Sequence, residues 1–369
     1  MIVLGGLTLL AWVWLLLGQG RFWRTDQRLP EPVDPEHWPS VAIVVPARDE
    51  AAMLPVTLPT LLGQRYPGQA RVIVVDDNST DGTGSVAGRL SGILPLAVTA
   101  PGEPPAGWTG KLWAVAHGVA AAGDVDYLLL TDADITHEPD SLAGLVAARR
   151  DLVSQMALLR AQTRWERLLV PAFVYFFAML FPFRWVNGPG RTAAAAGGCV
   201  LVRRAALTDA GGIPAIRDAV IDDVALAGSI KRSGGRIWLG LSESVRSVRP
   251  YPRLADLWRM VARSAYTQLR HSPWLLAGTV AGMVLVFVAP VAVTVAGIFG
   301  FAWWWLGGVA WLIMAGTFVP TLRLYRVPAA TAFLLPVTGL LYTLMTLDSA
   351  RRHYLGGGAT WKGRDYKSG

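Results

Sequence analysis

A chain of 369 residues with 53 % hydrophobic and only 16 % charged residues, at a mean hydropathy of +0.38, is too apolar for an ordinary soluble protein, and the apolar excess lies at its two ends. One cysteine excludes an internal disulfide and any multi-cysteine metal site. A net charge of +8 would suit nucleic acid, but the arginines cluster where a cytosolic membrane surface would attract them, so no nucleic-acid partner is expected.

Residues 1–20 are uncharged over about one bilayer crossing, and Arg21, Arg24 and Arg28 follow at once. A cleaved signal needs a basic start and a small-residue cleavage site. Neither is present, so residues 1–20 read as a retained anchor with the amino terminus outside. Residues 39–271 then form a soluble region whose first half alternates β-branched runs with helix-like stretches. Val41-Ala-Ile-Val-Val45 and Arg71-Val-Ile-Val-Val75 each lead into a polar turn. Such alternation predicts a parallel sheet covered by helices, with ligands beyond the carboxyl ends of its strands. Gly82-Thr-Gly-Ser-Val-Ala87 matches a dinucleotide fingerprint in form only. Asp76, Asp77 and Asp81 crowd the turn where a pyrophosphate would dock, and the acidic residue expected about 20 positions later is missing. Carboxylates there suit the N–H and hydroxyl groups of a base and ribose better.

Farther along, residues 168–183 are apolar and aromatic between Arg164, Arg167 and Arg184. They are short for a crossing and suit an interfacial or half-buried helix. Cys199 has apolar neighbours and reads as packing. Over residues 253–271, Arg253, Arg259, Arg263 and Arg270 interleave with Leu254, Leu257, Trp258, Val261 and Leu269 at helical spacing, which predicts a basic amphipathic interfacial helix. Residues 274–320 are uncharged and long enough for two crossings. Residues 327–347 are apolar but interrupted by Pro336, with Pro328 near their start. A re-entrant or interfacial segment is expected there, returning the basic tail of residues 348–369, with Arg351, Arg352, Lys362, Arg364 and Lys367, to the side of the soluble region. Three simple crossings would leave that tail outside, against the positive-inside tendency.

The chemistry concentrates in Tyr127-Leu-Leu-Leu-Thr-Asp-Ala-Asp134, where two carboxylates end what reads as a buried strand. Burying charge is costly, so such a pair sits at the strand's carboxyl edge and shares something positive, for which a divalent cation with a phosphate on its far side fits. Two solvated aspartates in a strand-to-loop turn are the plain alternative for an isolated pair. Two more strand ends carry polar clusters, Pro46-Ala-Arg-Asp-Glu50 and Asp76-Asp-Asn-Ser-Thr-Asp-Gly-Thr83.

These three clusters, in this order and spacing, resemble the family 2 glycosyltransferases. So do Gly110-Lys111, the Gly197-Gly198 loop before Val200-Leu-Val-Arg203, and Ile221-Asp-Asp-Val-Ala-Leu226. The resemblance covers about residues 40–270. The whole chain looks most like the bacterial hopene-associated glycosyltransferases, which share the anchor, the carboxyl-terminal apolar segments and a terminal Trp-Lys-Gly-Arg, here Trp361 to Arg364. The resemblance implies an α/β catalytic domain of the GT-A type, a Rossmann-like mixed sheet, with transmembrane or interfacial helices at both ends. It also implies that Pro46, Arg48, Glu50 and Asp77 surround a nucleotide, with Asp76 a second contact or a support for that turn. Asp132 would face ribose and metal, Asp134 metal and diphosphate, and Mg²⁺ or Mn²⁺ suits such oxygen ligands. Lys111 is implied near the sugar or phosphate, although a surface lysine in a Gly- and Pro-rich loop is the plain reading. Asp223 takes the position of the family's general base, with Asp222 where glutamate is usual; helix capping is the structural alternative for this pair.

The Gln-x-x-Arg-Trp motif of processive polysaccharide synthases is absent. Trp258-Arg-Met-Val-Ala-Arg263 stands there instead, and Arg263 is a candidate diphosphate contact that an interfacial helix explains equally well. The expected protein is therefore a metal-dependent, inverting transferase moving one sugar from a nucleotide-sugar donor to a lipid acceptor, hopanoid or another isoprenoid lipid, at the cytosolic face of the bacterial inner membrane. A synthase-exporter would need a tunnel, and a transporter would need ionisable residues within its crossings, of which residues 274–320 have none.

Overall fold

The computed structural model describes residues 1–31, 33–355, 360–361 and 364–365. The chain divides into two compact units: Met1–Asp26, Ala161–Arg184 and Tyr251–Ala359 make one, and Gln27–Arg160, Trp185–Pro250 and Thr360–Gly369 make the other.

In the second unit, strands β1 (Val41–Ala47), β2 (Ala70–Asp76), β3 (Leu96–Thr99), β4 (Tyr127–Thr131), β5 (Ile135–His137), β6 (Leu152–Leu158), β7 (Cys199–Arg203) and β8 (Ile237–Ser247) form one sheet in the order β3-β2-β1-β4-β7-β6-β8-β5. The first four are parallel, as the alternation predicts. β7 then runs antiparallel to both β4 and β6, β8 lies parallel to β6, and β5 antiparallel to β8, so the sheet is mixed. All seven residues of β1 are buried, which explains its unbroken apolar run: a central strand covered on both faces has no solvent side to pattern. Helix Gly110–Ala121 lies so close to this sheet that a Cβ on Gly118 would run into Val44 and Val75. Gly118→Ala is therefore expected to cost about 1–3 kcal/mol by overpacking, outweighing alanine's better helix propensity of about 1 kcal/mol. Thermal or urea unfolding of the purified protein checks this.

The parallel strands β1, β2 and β4 all end at one edge. Because β7 is antiparallel, it begins at that edge, with Cys199 opposite Thr131, and so brings the Gly197-Gly198 loop beside the end of β4. Cys199 is fully buried, as expected of packing, and burial pushes its thiol up to about 12.

The first unit is helical. Pro273–Phe299, Trp305–Leu324 and Ala329–Tyr354 are long and apolar enough to cross a membrane. The amino-terminal helix, Ile2–Leu17, has 16 residues, below the roughly 20 needed for the hydrocarbon core. Its polar groups serve the fold: Trp12 Nε1 donates to Val286 O at 2.7 Å and Thr8 Oγ1 to Leu285 O at 2.8 Å. Those carbonyls lie in the wide π turn Val284–Val288, just before Pro290, which has no N–H to donate back into the turn, and in apolar surroundings such acceptors need another donor.

Two expectations change here. Residues 253–271 are not one continuous helix: Leu254–Ala262 is followed by the short turn Ala265–Gln268, with Arg270 and His271 in the left-handed region. The break lets Tyr266 bury its ring while its N–H donates to Ser349 Oγ and its hydroxyl to His271 O. In residues 327–347 the prolines do not interrupt a helix. Pro328 precedes the 3-10 turn Ala329–Leu334 and Pro336 lies in the first turn of Leu335–Tyr354, where its missing N–H has no helical acceptor to leave empty. The prolines therefore no longer argue against a crossing. The apolar helix expected at residues 168–183 spans Arg164–Leu180, opened by a Thr163/Glu166 capping box. The expectations for Lys362 and Lys367 fall outside the described residues; Thr360–Trp361 and Arg364–Asp365 pair as a short antiparallel ladder.

Candidate active site

The strand-end loops come together as the pattern predicts. Arg48 Nη1 donates to Asp77 O at 2.6 Å and stands 3.7 Å from the buried Asp77 Oδ2. Asp49 N–H donates to Ser79 Oγ, Glu50 N–H to Thr83 Oγ1, and Ala51 N–H to Asp81 Oδ2, each at 2.8–3.0 Å. The loop after β1 is thus laced to the loop after β2. Asp76 Oδ1 accepts the Ser79 N–H at 3.1 Å, so it supports the turn, and a side chain at Gly84 would collide with its carboxylate.

Asp132 and Asp134 follow β4 and take different cations. Lys111 Nζ, in the first turn of helix Gly110–Ala121, lies 3.0 Å from Asp132 Oδ1 and 3.1 Å from Asp222 Oδ2. Thr109 caps that helix, its Oγ1 accepting the Leu112 N–H. Arg249, just beyond β8, places Nε 2.7 Å from Asp134 Oδ2 and Nη2 2.5 Å from Glu50 Oε1.

Helix Asp222–Arg232 opens with the two aspartates in its first turn, at the end where the backbone dipole favours negative charge. Neither is the N-cap, which is Ile221. Asp223 Oδ1 accepts its neighbour Val224's N–H at 2.8 Å, and Oδ2 accepts the Gly197 N–H at 2.7 Å. Asp223 thus satisfies one first-turn N–H of its own helix and ties that helix to the Gly197 loop. Lys231, near the other end of this helix, donates to the carbonyls of Val186, Gly188 and Thr192 at 2.7–2.9 Å, anchoring the chain that leads to Gly197.

Pro46, Lys111, Asp132, Gly197, Asp222 and Asp223 line one open pocket. Burial pushes the Asp223 carboxyl up to about 7, with the charge of Asp222 adding and Lys111 and the two N–H donors opposing. Burial also raises Asp132, with Lys111 opposing and Asp134 and Asp222 adding. For Lys111, burial works against the ammonium, but Asp132 and Asp222 outweigh it and hold it well above its ordinary value. A carboxylate that titrates near neutrality beside a fixed ammonium is suited to taking a proton at physiological pH. Lys111→Met removes the positive neighbour, so the Asp223 pKa is expected to rise and the acidic limb of the pH–rate profile to move to higher pH. Rates measured between pH 5 and 9 check the direction.

The carboxylates also suit a divalent ion. Asp132 and Asp134 are hard oxygen donors, and each already faces a cationic side chain. Among the described residues no three His, Cys, Asp or Glu side chains gather to hold a metal. Two carboxylates leave positions for phosphate and water, the usual arrangement for Mg²⁺ or Mn²⁺ at a phosphate site. Arg263 belongs to the helical unit, at the C-cap of Leu254–Ala262 and exposed, and the other candidates belong to the sheet unit. Sequence reasoning missed Arg249, which follows a strand and precedes a proline in a pattern that carries no spacing signal.

Across residues 6–368 the chain matches the model of glycosyl transferase family 21. It is 31 % identical over 112 residues to the probable glycosyltransferase YdaM of Bacillus subtilis, a stretch that is 29 % of this chain and 26 % of the relative, so this chain spans about a quarter of that protein's length. Among solved structures it is similar to the mannosyltransferase PcManGT from Pyrobaculum calidifontis in complex with GDP-Man and Mn²⁺, at a TM-score of 0.59 and 22 % identity, covering 93 % of this chain and 99 % of that one. That likeness establishes the fold, a GT-A-type mixed sheet with accompanying helices.

Proposed function

The chain belongs to glycosyl transferase family 21, and from that premise we propose that it transfers a single sugar, with inversion, from a nucleotide-sugar donor to a hydroxyl of a lipid acceptor at the cytosolic face of the bacterial inner membrane. The observation that carries this reading is the convergence of Asp132, Lys111, Asp222 and Asp223 on one pocket at the carboxyl ends of β1 and β4. The motif resemblance to family 2 and to the hopene-associated enzymes supports the residue roles and the choice of a hopanoid or other isoprenoid lipid. The PcManGT structure, solved with GDP-Man and Mn²⁺, supports a nucleotide sugar and a divalent ion.

In this reading the laced loops Arg48–Glu50 and Asp76–Thr83 hold the nucleoside, with Asp77 accepting its donors and Asp76 stiffening the turn. Asp132 and Asp134 hold Mg²⁺ or Mn²⁺, which when bound supplies positive charge to the departing diphosphate. Lys111 contributes a fixed charge near the sugar or phosphate. Asp223 Oδ takes the acceptor hydroxyl's proton as that oxygen attacks the anomeric carbon from the face opposite the leaving group. The Gly197 N–H and Lys231 orient Asp223 and its loop. Inversion needs one base and no covalent intermediate, and the resemblance to inverting family 2 enzymes supports it. Residues 1–20, the Arg164–Leu180 and Leu254–Ala262 helices and the three long apolar helices would hold this chemistry at the bilayer, where a soluble donor and an embedded acceptor meet. Arg263 is retained as a candidate diphosphate contact.

Incubating purified enzyme with a panel of nucleotide sugars and bacterial lipid extracts, followed by mass spectrometry, tests the reading. A lipid heavier by one sugar is expected. Long polymer products would establish a processive synthase instead, and no transfer with any donor would overturn the proposal.

A further inference from the structure

Arg249 ties together two carboxylates that the sequence places far apart. Glu50 follows β1 and Asp134 follows β4, and the guanidinium meets both at 2.5 and 2.7 Å. The three side chains are poorly solvated, with 8 % of Glu50, 13 % of Asp134 and 27 % of Arg249 exposed. Charges withdrawn from water need compensation, and a planar fork on two carboxylates supplies it in the way a bound cation would. Ser247 Oγ adds a 3.3 Å hydrogen bond to the same Asp134 Oδ2 that Arg249 holds.

We infer that Arg249 is the resident counter-ion of the donor site: before the donor arrives it occupies Asp134 and Glu50 and weakens the hold of Asp134 on a lone divalent ion, and on donor binding it turns its charge to the donor's phosphates. The inference rests on the reading above in which Asp134 holds the divalent ion. It assigns a binding order, because a divalent ion alone must compete with a guanidinium already seated on Asp134. An ion that arrives with a diphosphate brings anionic oxygens to which Arg249 can move. Guanidinium and phosphate suit such an exchange, since the fork that spans two carboxylate oxygens also spans two phosphate oxygens.

The test uses the full-length protein in detergent, with Mn²⁺ alone followed by electron paramagnetic resonance and GDP or UDP at saturating Mn²⁺ followed by calorimetry. Arg249→Gln should tighten Mn²⁺ binding in the absence of nucleotide by about tenfold or more, on the scale by which neighbours of metal ligands usually act, and should weaken diphosphate binding. A residue that merely supports the fold would weaken both. If Arg249→Gln does not fold, Arg249→Lys is read instead. Its shorter point charge cannot span both carboxylates, so the same two directions are expected with smaller size. Mn²⁺ affinity that falls or stays unchanged in the folded variant overturns the inference. Asp134→Asn separates this failure from that of the functional reading: Mn²⁺ binding that depends on Asp134 but not on Arg249 sinks only the role of Arg249. Mn²⁺ binding indifferent to Asp134 sinks the metal role of Asp134 and the inference with it.

Discussion

Asp223→Asn is expected to lower turnover by about 10²- to 10⁴-fold, the usual contribution of a general base, while donor affinity stays within a few-fold of wild type. The amide keeps an oxygen for the Gly197 or Val224 N–H but cannot take the acceptor's proton. In the wild type, kcat/KM should fall about tenfold per pH unit below about 7, because burial pushes this carboxyl up to about 7 and only its charged form is a base. Stability should move the opposite way. The folded protein holds this proton up to about pH 7, whereas the unfolded chain releases it near 3.8, so the native state is favoured at low pH and that advantage is lost as pH rises through 7. Asparagine removes the cost of the charged form, and the Tm of Asp223→Asn should match wild type near pH 4 and exceed it at pH 8. Intact turnover with collapsed donor affinity would make Asp223 a binding or capping residue.

The second large effect is expected at the paired aspartates. Asp132→Asn and Asp134→Asn should each reduce transfer by at least about 100-fold, since even residues that only support a metal ligand commonly cost 10- to 100-fold. Chelator should silence the wild type, and added Mn²⁺ or Mg²⁺ should restore it. The two variants differ in what they release: Asp132→Asn removes one of two carboxylates from Lys111, Asp134→Asn one of two from Arg249. Near-wild-type rates in both variants, with chelator inert, would overturn the metal-dependent mechanism.

Much of the site was legible in the chain because each strand announces its own end. A run such as Tyr127 to Thr131 must be buried, and the carboxylates that follow it cannot be, so Asp132 and Asp134 locate the carboxyl edge without knowledge of neighbouring strands. The same logic found Arg48–Glu50 and Asp76–Asp77. Helix continuity was harder to read: the arginine spacing over residues 253–271 fits a helix as far as Ala262, and burial of Tyr266 against Ser349 then overrides the local pattern.

Local composition thus determined the class of fold, the three strand-end clusters, the acidic pair before Val224 and the apolar segments, because periodicity and the cost of burying charge act within a few residues. The tertiary structure alone decided which cation meets which carboxylate. Glu50 and Arg249 are 199 positions apart and Asp134 and Arg249 are 115 apart, and no periodicity in one segment carries information about a partner at that distance. The reversal of β7 that brings Gly197 to Asp223 is likewise a property of strand pairing across the sheet. An ion pair needs its groups within a few ångströms, so the order of the strands and not the local sequence decides the partners of Lys111 and Arg249.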